Sequence, residues 1–577
     1  MKNIFFILTI LPFGLFSQVN QLFTESDTVK IEQRTGGKID SMDMVYSNTI
    51  ATTPAGGINL MNNCFNPKAL YLFEGLQNFR TLPTDSPMRF SGIPHLGFTY
   101  SFGTKGSQFL HFDYQHAVSQ KTLININSAR NTSNGFTRNS KYSYSDIQFK
   151  IRRNAKKHSY LLKGDYSNRS TNLNGGIADD ENINTQGLDL LPVNKYNSSS
   201  TVKIGNIKIS NYFNFLNDSL KGLGISSKHQ YEVTAREYFD SADTIKNPNF
   251  DTLNTRDQYR LASIRNSGGV YWKTNKTFID VLVQHRYWDY QNLGEHRDTN
   301  EINLTSNLSI VTQKYSLKNE FSFNIIGAGN EWRNKTIATT TYKKIRILGI
   351  ATIEQKWPEQ FQRFYTANSY KYKLSDYKLQ SKAFVELNAK YKFTDSYNLG
   401  ATFTSATLIN NYFFSENDST WRSDTLTNIV FHAINLSSEL KFGVLHIHPA
   451  ITVNFPSTNF NYVSSTVVNS RIFIKKHFFK AKKLEGVMGV DLSWRSSHKL
   501  LSYNSILDVY TLNDTNKTFN SMSNLSAFIG FSLGQFRFYA RVENIGYLWN
   551  DRKNQVLIGF PIQKNYIRIG LTWDFFN

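Results

Sequence analysis

The chain has 577 residues and a mean hydropathy of −0.41, and its only helix-like apolar run lies at the N-terminus, so a bundle of membrane-spanning helices is excluded. Its formal net charge is +21, but Lys and Arg are spread along the chain without a recognition motif, which argues against nucleic-acid binding. Cys64 is the only cysteine, so neither an intramolecular disulfide nor a cysteine-based metal site can form.

The first residues have the pattern of an export signal. Lys2 precedes an apolar run from Ile4 to Leu11, which is too short to span a bilayer and ends before Pro12. A small residue, Ser17, follows at the expected cleavage point. We therefore predict a signal peptide over residues 1–17.

Residues 18–90 differ from the rest of the chain. Acidic residues are mixed with glycine pairs, and alternation of apolar and polar residues is poor. The sequence predicts a short, partly ordered periplasmic extension with one amphipathic segment near residues 69–80. It could enter a barrel as a small plug, although it is short for a folded plug domain.

From about Gly92 onward, apolar and polar residues alternate with a period of two, which predicts β-strands. In residues 382–393, one face carries Ala, Val, Leu, Tyr and Phe, whereas the other carries Lys382, Phe384, Glu386 and Lys390. An aromatic content of 14% in so polar a chain suits strands that present every second side chain to lipid. Residues 91–577 are therefore predicted to form an outer-membrane β-barrel.

The C-terminal segment shows the same pattern. Residues 525–533 and 536–542 alternate on either side of Gly534-Gln535, which predicts a hairpin. The last strand alternates large apolar residues with Arg568, Gly570, Thr572 and Asp574, and it ends in aromatic residues. We expect aromatic side chains near strand ends to lie at the membrane interface, namely Trp494, Trp573, Phe575 and Phe576.

The connections are predicted to alternate between short turns and long polar loops. Residues 103–106, 153–157 and 534–535 are the expected turns, and residues 171–197, 241–266 and 414–427 the expected loops. At about ten residues per strand, residues 91–577 accommodate roughly 16 to 18 antiparallel strands in an all-β, up-and-down barrel. Prolines are expected at turns or strand ends, at positions Pro358, Pro449, Pro456 and Pro561.

Charged residues recur on the polar face of these strands, as expected for a water-filled lumen. The predicted pore-lining residues are Glu386, Lys390, Arg537, Arg541, Glu543 and Arg568. The excess positive charge of the chain would contact lipid phosphates, or it would line the lumen and favour the passage of anions.

Other candidate sites have weaker support. His446 and His448 share one strand face with metal-ligand spacing, but no acidic or cysteine partner accompanies them in sequence. Asp179-Asp180-Glu181 has the charge to hold Ca²⁺, but the ordinary interpretation of such a run in a long loop is a solvated acidic loop. No phosphate loop, nucleophile elbow or paired-carboxylate pattern occurs, and nothing marks a triad around His285. We expect no metal, no cofactor and no enzymatic activity.

Several short motifs are shared with one family. They are Gly97-Phe98-Thr99-Tyr100, Gly103, Gln108-Phe109, His111, Gln115-His116, the turn Asn174-Gly175-Gly176-Ile177 and the ending Gly570-Leu571-Thr572-Trp573-Asp574-Phe575-Phe576. The chain thereby resembles the putative porin family of Bacteroidota outer-membrane β-barrel proteins. The resemblance implies a barrel in the cell outer membrane, and it carries over no catalytic residue.

These observations predict a porin-like channel for small hydrophilic solutes, with an anion bias set by the lumen charges. Two alternatives stay open: a barrel that acts as a scaffold or assembly partner, and a ligand-gated transporter. A loop folded into the lumen, such as residues 171–197, would close the channel. The expected partners are outer-membrane lipids, the transported solutes and the barrel-assembly machinery, which would contact the C-terminal strand; the oligomeric state is left open.

Overall fold

The computed structural model describes residues 94–577, apart from residues 179–182, 184–185, 217, 219–220, 242–253, 395, 424–427, 458–459, 482, 513–514, 516, 550 and 577. The predicted signal peptide, the extension over residues 18–90 and the acidic loop positions 179–181 therefore lie outside the described residues. No helix in the described part of the chain is long and apolar enough to cross a membrane.

Twenty-two strands form one sheet in the described residues. The first eleven are β1 His95–Gly103, β2 Ser107–Ser119, β3 Thr122–Ser133, β4 Tyr142–Arg153, β5 His158–Asn172, β6 Ser198–Asn214, β7 Gly222–Asp240, β8 Thr255–Lys273, β9 Thr277–Asn292, β10 His296–Val311 and β11 Tyr315–Ile326. The remaining strands are β12 Trp332–Tyr342, β13 Ile345–Lys356, β14 Gln380–Lys392, β15 Tyr397–Ile409, β16 Asn428–Phe442, β17 Leu445–Pro456, β18 Thr466–Phe478, β19 Leu484–Arg495, β20 Met522–Leu533, β21 Phe536–Glu543 and β22 Tyr566–Phe576.

Each strand pairs antiparallel with the next one along the chain, and β22 pairs with β1 from His95↔Phe576 to Gly103↔Arg568. The sheet is thus a closed up-and-down barrel. The prediction of 16 to 18 strands was wrong because short and long connections do not alternate everywhere. Between β9 and β13 the connections at both ends of the strands are short, so five strands fit into residues 277–356.

The connections divide the barrel into a loop end and a turn end. The loop end carries the connections after odd-numbered strands, including residues 173–197, 357–379, 410–427, 496–521 and 544–565. The turn end carries the connections after even-numbered strands, such as 154–157 and 534–535. Two expectations need correction: residues 103–106 lie at the loop end, and residues 255–266 of the predicted loop 241–266 belong to β8.

The two faces of the wall differ as the alternation predicts. In β21 and β22, Phe536, Phe538 and Ile567 are exposed, whereas Arg541 and Arg568 between such positions are buried. The exposed apolar side chains continue around the wall, so they form the outer face. The polar alternate positions form the inner face, as in a transmembrane barrel.

Pro449 corrects one expectation, because it lies inside β17 and not at a turn or strand end. The pairing of β16 with β17 breaks here: it runs to Ser437↔Ala450 and resumes at Leu440↔Ile447. A proline has no N–H to donate, and the break leaves its position without a partner on that side. Pro456 ends β17, whereas Pro358 and Pro561 lie in loop-end connections.

Gly570 of β22 lies under the ring of Tyr539 of β21, its partner across the last hairpin. A Cβ atom at this position would come 2.4 Å from the Tyr539 ring. The tyrosine is buried, so it cannot swing freely into solvent. Glycine is therefore needed beside the seam that closes the barrel.

We predict that Gly570→Ala destabilises the barrel by about 1–3 kcal/mol, because the new methyl group overpacks the Tyr539 ring. The measurement is the guanidinium unfolding midpoint of the protein in lipid vesicles. Gly268→Ala in β8 is the matched control, since an added Cβ there meets nothing within 4 Å. Equal midpoints for the two variants would contradict the proposed role of Gly570.

Candidate functional site

Several loop-end connections contain small structures of their own, and three of them meet at one part of the wall. Residues 357–379 form a single helical turn, Gln360–Arg363, followed by a hairpin of Phe364–Thr366 with Lys371–Lys373. Residues 410–427 contain the hairpin of Phe413–Ser415 with Thr420–Arg422. Residues 496–521 contain two short pairings, His498–Lys499 with Thr518–Phe519 and Ser502–Asn504 with Val509–Thr511.

Side chains from all three loops meet the inner wall of β6, β8 and β9 in one buried apolar group, which we call the mouth cluster. Its members are Val202, Ile204, Tyr259, Trp288, Tyr290, Phe361, Phe364, Tyr365, Ala367, Tyr372, Tyr412, Phe414, Trp421, Leu507 and Val509. In a ring of 22 strands, the opposite wall is 11 strands away. The loop between β19 and β20 therefore reaches almost straight across the barrel, which is roughly 40 Å wide by strand spacing and tilt.

Arg236 of β7 fixes the longest of these crossings. Its guanidinium donates to the Ile506 carbonyl at 2.5 Å, to the Ser505 carbonyl at 3.2 Å and to the Ser200 hydroxyl at 3.2 Å. The side chain is buried, with 4% exposure. It also faces Asp508 of the same loop, whose pKa is raised by burial and lowered in part by Arg236. This one cation thus binds the loop to the opposite wall.

The loop over residues 357–379 is held on the same wall by two further contacts. The backbone N–H of Asn368 donates to Asp257 at 2.7 Å, and the Tyr290 hydroxyl donates to the Phe364 carbonyl at 2.6 Å. Both wall residues belong to the loop-end halves of β8 and β9. Hydrogen bonds of this kind give the loop one orientation, which apolar packing alone does not specify.

A second buried group covers the inner face of β14–β16 at the loop end. It joins wall residues such as Phe384, Leu408 and Phe431 to loop residues such as Phe460 and Tyr510. The alternation in sequence puts Phe384 on the polar face and gives no indication of this buried group. The signal is an apolar residue at an inward position, which in a polar lumen indicates something packed against the wall.

The inner face of β14 changes along its length. Lys382 and Phe384 near the loop end are buried, Glu386 is half-buried, and Lys390 near the turn end is exposed. In β16 the same change leads from buried Phe431 to exposed Lys441. On this side, the described residues close the lumen at the loop end and leave the wall accessible toward the turn end.

The turn Asn174-Gly175-Gly176-Ile177 joins two more loops at the same end. The Ile177 N–H donates to the Gly559 carbonyl at 2.7 Å, and Asn174 donates to Thr137 at 2.8 Å. Gly176 has φ +88°, and a Cβ there would lie 3.0 Å from the Gly559 oxygen. The motif is thus a contact between loop 173–197 and loop 544–565, and only glycine fits it.

The predicted pore-lining residues fall into two places. Arg537, Arg541, Glu543 and Arg568 lie together on β21 and β22 and are buried. Arg568 pairs with Glu543, and Arg541 pairs with Asp491 at 2.7 Å. Glu386 and Lys390 lie apart from them, on the inner face of β14, where Lys390 is exposed. Their contact with passing solute stays a prediction.

The predicted interface aromatics lie near both ends of the wall. Trp494, near the loop end of β19, and Trp573, near the turn end of β22, are 40% and 44% exposed. Phe575 stacks on Trp573 with ring centroids 4.4 Å apart. Phe576 ends β22 and pairs with His95 through its backbone. Contact of these residues with lipid headgroups stays a prediction.

His446 and His448 both pack on Phe473, with ring centroids 4.7 and 5.2 Å from its own. Their rings are 6.4 Å apart. Across the residues that the structure describes, no group of three or more His, Cys, Asp or Glu side chains is placed to hold a metal ion. The His285 ring contacts Asn300 at 2.9 Å.

A cavity of about 960 Å³ lies between the loop over residues 357–379, the connection over residues 327–331 and the inner wall of β8–β10 and β13. We call it the mouth pocket. Aromatic, cationic and acidic side chains line it together, among them Trp357, Tyr377, Arg363, Arg297, Glu301 and Glu331. Its size and mixed lining are those of a site for a small polar ligand.

Glu331 connects this pocket to the crossing loop. It accepts a hydrogen bond from the backbone N–H of Trp357 at 2.9 Å, where the loop leaves β13. The pKa of Glu331 is raised to about 7, mainly by burial; the Trp357 N–H and Arg286 act to lower this pKa, and the nearby carboxylates of Glu301 and Glu359 act to raise it. The closed position of the loop therefore favours neutral Glu331.

Comparison with known proteins now identifies the family. A family model described as "Putative porin" matches residues 91–577. The chain belongs to this putative porin family. The match covers the whole described barrel, and it supports a place in the cell outer membrane together with the closed 22-stranded sheet. No curated protein sequence matches the chain.

Solved structures similar to this putative porin include receptors and transporters. They include the siderophore receptor PirA from Acinetobacter baumannii (TM-score 0.57, 11% identity, 85% of this chain and 81% of that one). The ferric-catecholate import receptor Fiu from E. coli K12 has a TM-score of 0.55 and 9% identity, over 86% of this chain and 85% of that one. The copper transporter OprC has a TM-score of 0.58 and 7% identity, over 85% of this chain and 81% of that one. At such identities the likeness concerns the barrel fold alone.

We predict that the closed loop becomes less stable as pH rises. The pKa of Glu331 is raised by burial, so stabilisation of the closed loop is complete below its usual value of 4.5 and is lost as pH rises through about 7. A spin label at Lys373→Cys, in a Cys64→Ser background, should become more mobile between about pH 5.5 and pH 8.5.

In Glu331→Gln this pH response should disappear, because the amide keeps an acceptor for Trp357 but does not ionise. Asp376→Asn, which changes an exposed carboxylate of the same pocket, is the matched control and should respond as the unsubstituted chain does. A pH response that survives in Glu331→Gln would show that another group controls the loop.

Proposed function

We propose that this putative porin passes small hydrophilic solutes across the outer membrane through a gated lumen. The observation that carries the proposal is that three loops cross part or all of the loop end. The mouth cluster packs them on β6, β8 and β9, and Arg236 fixes the longest crossing, by residues 496–521, to the opposite wall. In outer-membrane barrels the longer loops face outward. Solute entering from outside would therefore meet a closed mouth first.

The same observation favours gated passage over an open pore. Loops that fold inward over the mouth leave less free area for solute, and conduction requires these loops to move. The crossing loops are 357–379, 410–427 and 496–521, whereas sequence analysis named residues 171–197 as the example of a closing loop. That segment lies at the same end, in contact with loop 544–565.

Inside the mouth, the accessible wall supports an anion bias. Near the turn end, Lys390 faces Arg346 across the β13–β14 pairing, and both are exposed. Lys441 of β16 is exposed at the same level, and Glu439 is the acid near it. More positive than negative charge along this path would raise the local concentration of anions.

A ligand-gated transporter is the second candidate. The similar structures include a siderophore receptor, a ferric-catecholate import receptor and a copper transporter, although identities of 7–11% limit that likeness to the fold. The mouth pocket, half of which belongs to a crossing loop, favours this candidate independently. No observation on the described residues specifically favours a scaffold or assembly role.

The expected contacts with lipid and with the barrel-assembly machinery follow from a position in the outer membrane. The outer apolar face would contact outer-membrane lipids, and the C-terminal strand, which closes the ring on β1, would be the element that the barrel-assembly machinery engages. We propose no catalytic step and no cofactor.

Planar-bilayer conductance tests the gate. The unsubstituted protein should show a low current with brief openings. Arg236→Ala should open more often, because removing this cation leaves Asp508 and Asp257 with less compensation and costs the closed state about 3–5 kcal/mol. The current through Arg236→Ala should prefer anions in a salt gradient.

Arg256→Ala on β8 is the matched control. Its guanidinium pairs with Glu237 at 2.8 Å, but both side chains are exposed, so the pair contributes only up to about 1 kcal/mol. It should conduct as the unsubstituted protein does. A large steady current without any substitution would contradict gating by the loops.

A further inference from the structure

The mouth pocket contains one arginine, Arg363, that has no acidic partner among the described residues. Arg363 donates to the Tyr377 hydroxyl at 3.3 Å, and its guanidinium lies over the rings of Tyr377 and Phe364 at 5.0 and 5.6 Å. No carboxylate lies within ion-pair distance of it in the described part of the chain. An arginine held by aromatic faces keeps its outer N–H groups for a ligand.

The acids of the pocket, in contrast, are mostly engaged. Glu301 accepts from Trp288 at 2.7 Å and faces Arg286 at 3.4 Å. Glu359 contacts Lys356 at 3.5 Å and caps the helical turn Gln360–Arg363. Glu331 accepts the Trp357 N–H. Although acidic residues outnumber basic ones in the lining, Arg363 is the charge best placed to recognise a ligand.

A second arginine stands beside it. The guanidinium of Arg297 lies 3.7 Å from the centre of the Phe364 ring and contacts Glu295 at 3.2 Å. Phe364 therefore has two arginines within stacking distance, from the wall and from the loop. A planar carboxylate is the group that such forked donors bind best, since each guanidinium can offer two parallel N–H groups.

The apolar part of the pocket is aromatic. Trp357 and Tyr377 meet edge to face with centroids 5.5 Å apart, and Trp357 also donates to the Gly329 carbonyl at 3.2 Å. Such an aromatic corner suits the apolar face of a ring. The surrounding carboxylates and amides suit hydroxyl groups at the ring edge.

We infer that the mouth pocket binds a small carboxylate-bearing solute with one apolar ring face, the chemistry of a sugar acid, and that Arg363 is its anion-recognising residue. This inference rests on the proposed function and names its solute class. Because Arg363 and Tyr377 belong to the crossing loop 357–379, which also supplies Phe361 and Tyr372 to the mouth cluster, a bound solute acts directly on the element that closes the lumen.

The test is isothermal titration of the full-length protein in detergent with three ring-matched probes: glucuronate, glucose and glucosamine. Glucuronate should bind saturably, and glucose and glucosamine at least tenfold more weakly. Equal binding of all three, or preference for glucosamine, would overturn the inference, because the engaged carboxylates would then be the recognising groups.

Arg363→Gln should weaken glucuronate binding at least tenfold, whereas Arg552→Gln should leave it unchanged. Arg552 is the matched control, since it also lies over a tyrosine, Tyr547 at 5.3 Å, in a loop-end connection outside the pocket. Tyr377→Phe keeps the ring but removes the hydroxyl that orients Arg363, and it should weaken binding less than Arg363→Gln does. Unchanged binding in Arg363→Gln would overturn the assignment.

Vesicle swelling separates this inference from the proposed function. Flux of glucuronate without calorimetric binding would refute the pocket and keep the channel. Binding that Arg363→Gln abolishes, without flux in any variant, would keep the pocket and refute passage. Heat-modifiable migration of each variant shows that its barrel is folded, so a loss of binding is not a loss of fold.

Discussion

Closure of the sheet on itself is the constraint on which the rest of the structure depends. In a membrane, an unpaired backbone group costs several kcal/mol, so β1 and β22 must pair along their whole length. This pairing joins residues that are 481 positions apart, His95 and Phe576. With every strand paired on both sides, the inner face does not need to be apolar and is available for charge, for water and for the loops.

The loops use that freedom at one end only. Ordinary lumen walls are polar, yet β14–β16 carry Phe384, Leu408 and Phe431 inward near the loop end, because they bury the loops. A few residues further along the same strands, the inner face becomes charged and accessible. One strand therefore has two different functions along its length, and the change between them marks the inner boundary of the closed mouth.

The sequence predicted the elements that have a strict local period. Alternation located the barrel, its two faces and the final hairpin, because side chains on a strand alternate whatever the partner. It failed where the decisive contacts are long-range. Nothing in the sequence near Arg236 indicates that it meets Ser505, and nothing near Arg363 indicates the pocket.

The predicted number of strands was wrong for a related reason. Short connections at both ends of β9–β13 remove the spacing that separates one strand from the next. The turn Asn174-Gly175-Gly176-Ile177 was found as a motif, but its contact with Gly559 depends on the fold.

The central claim is that the loop between β19 and β20 crosses the lumen and rests on β7. Double electron–electron resonance between spin labels at Ile506→Cys and Glu237→Cys, in a Cys64→Ser background, tests it most directly. We expect one narrow short-distance peak, because the Ile506 carbonyl is hydrogen-bonded to Arg236, the residue next to Glu237. A broad distribution centred near the barrel width, roughly 40 Å, would place the loop away from the far wall and contradict the closed mouth.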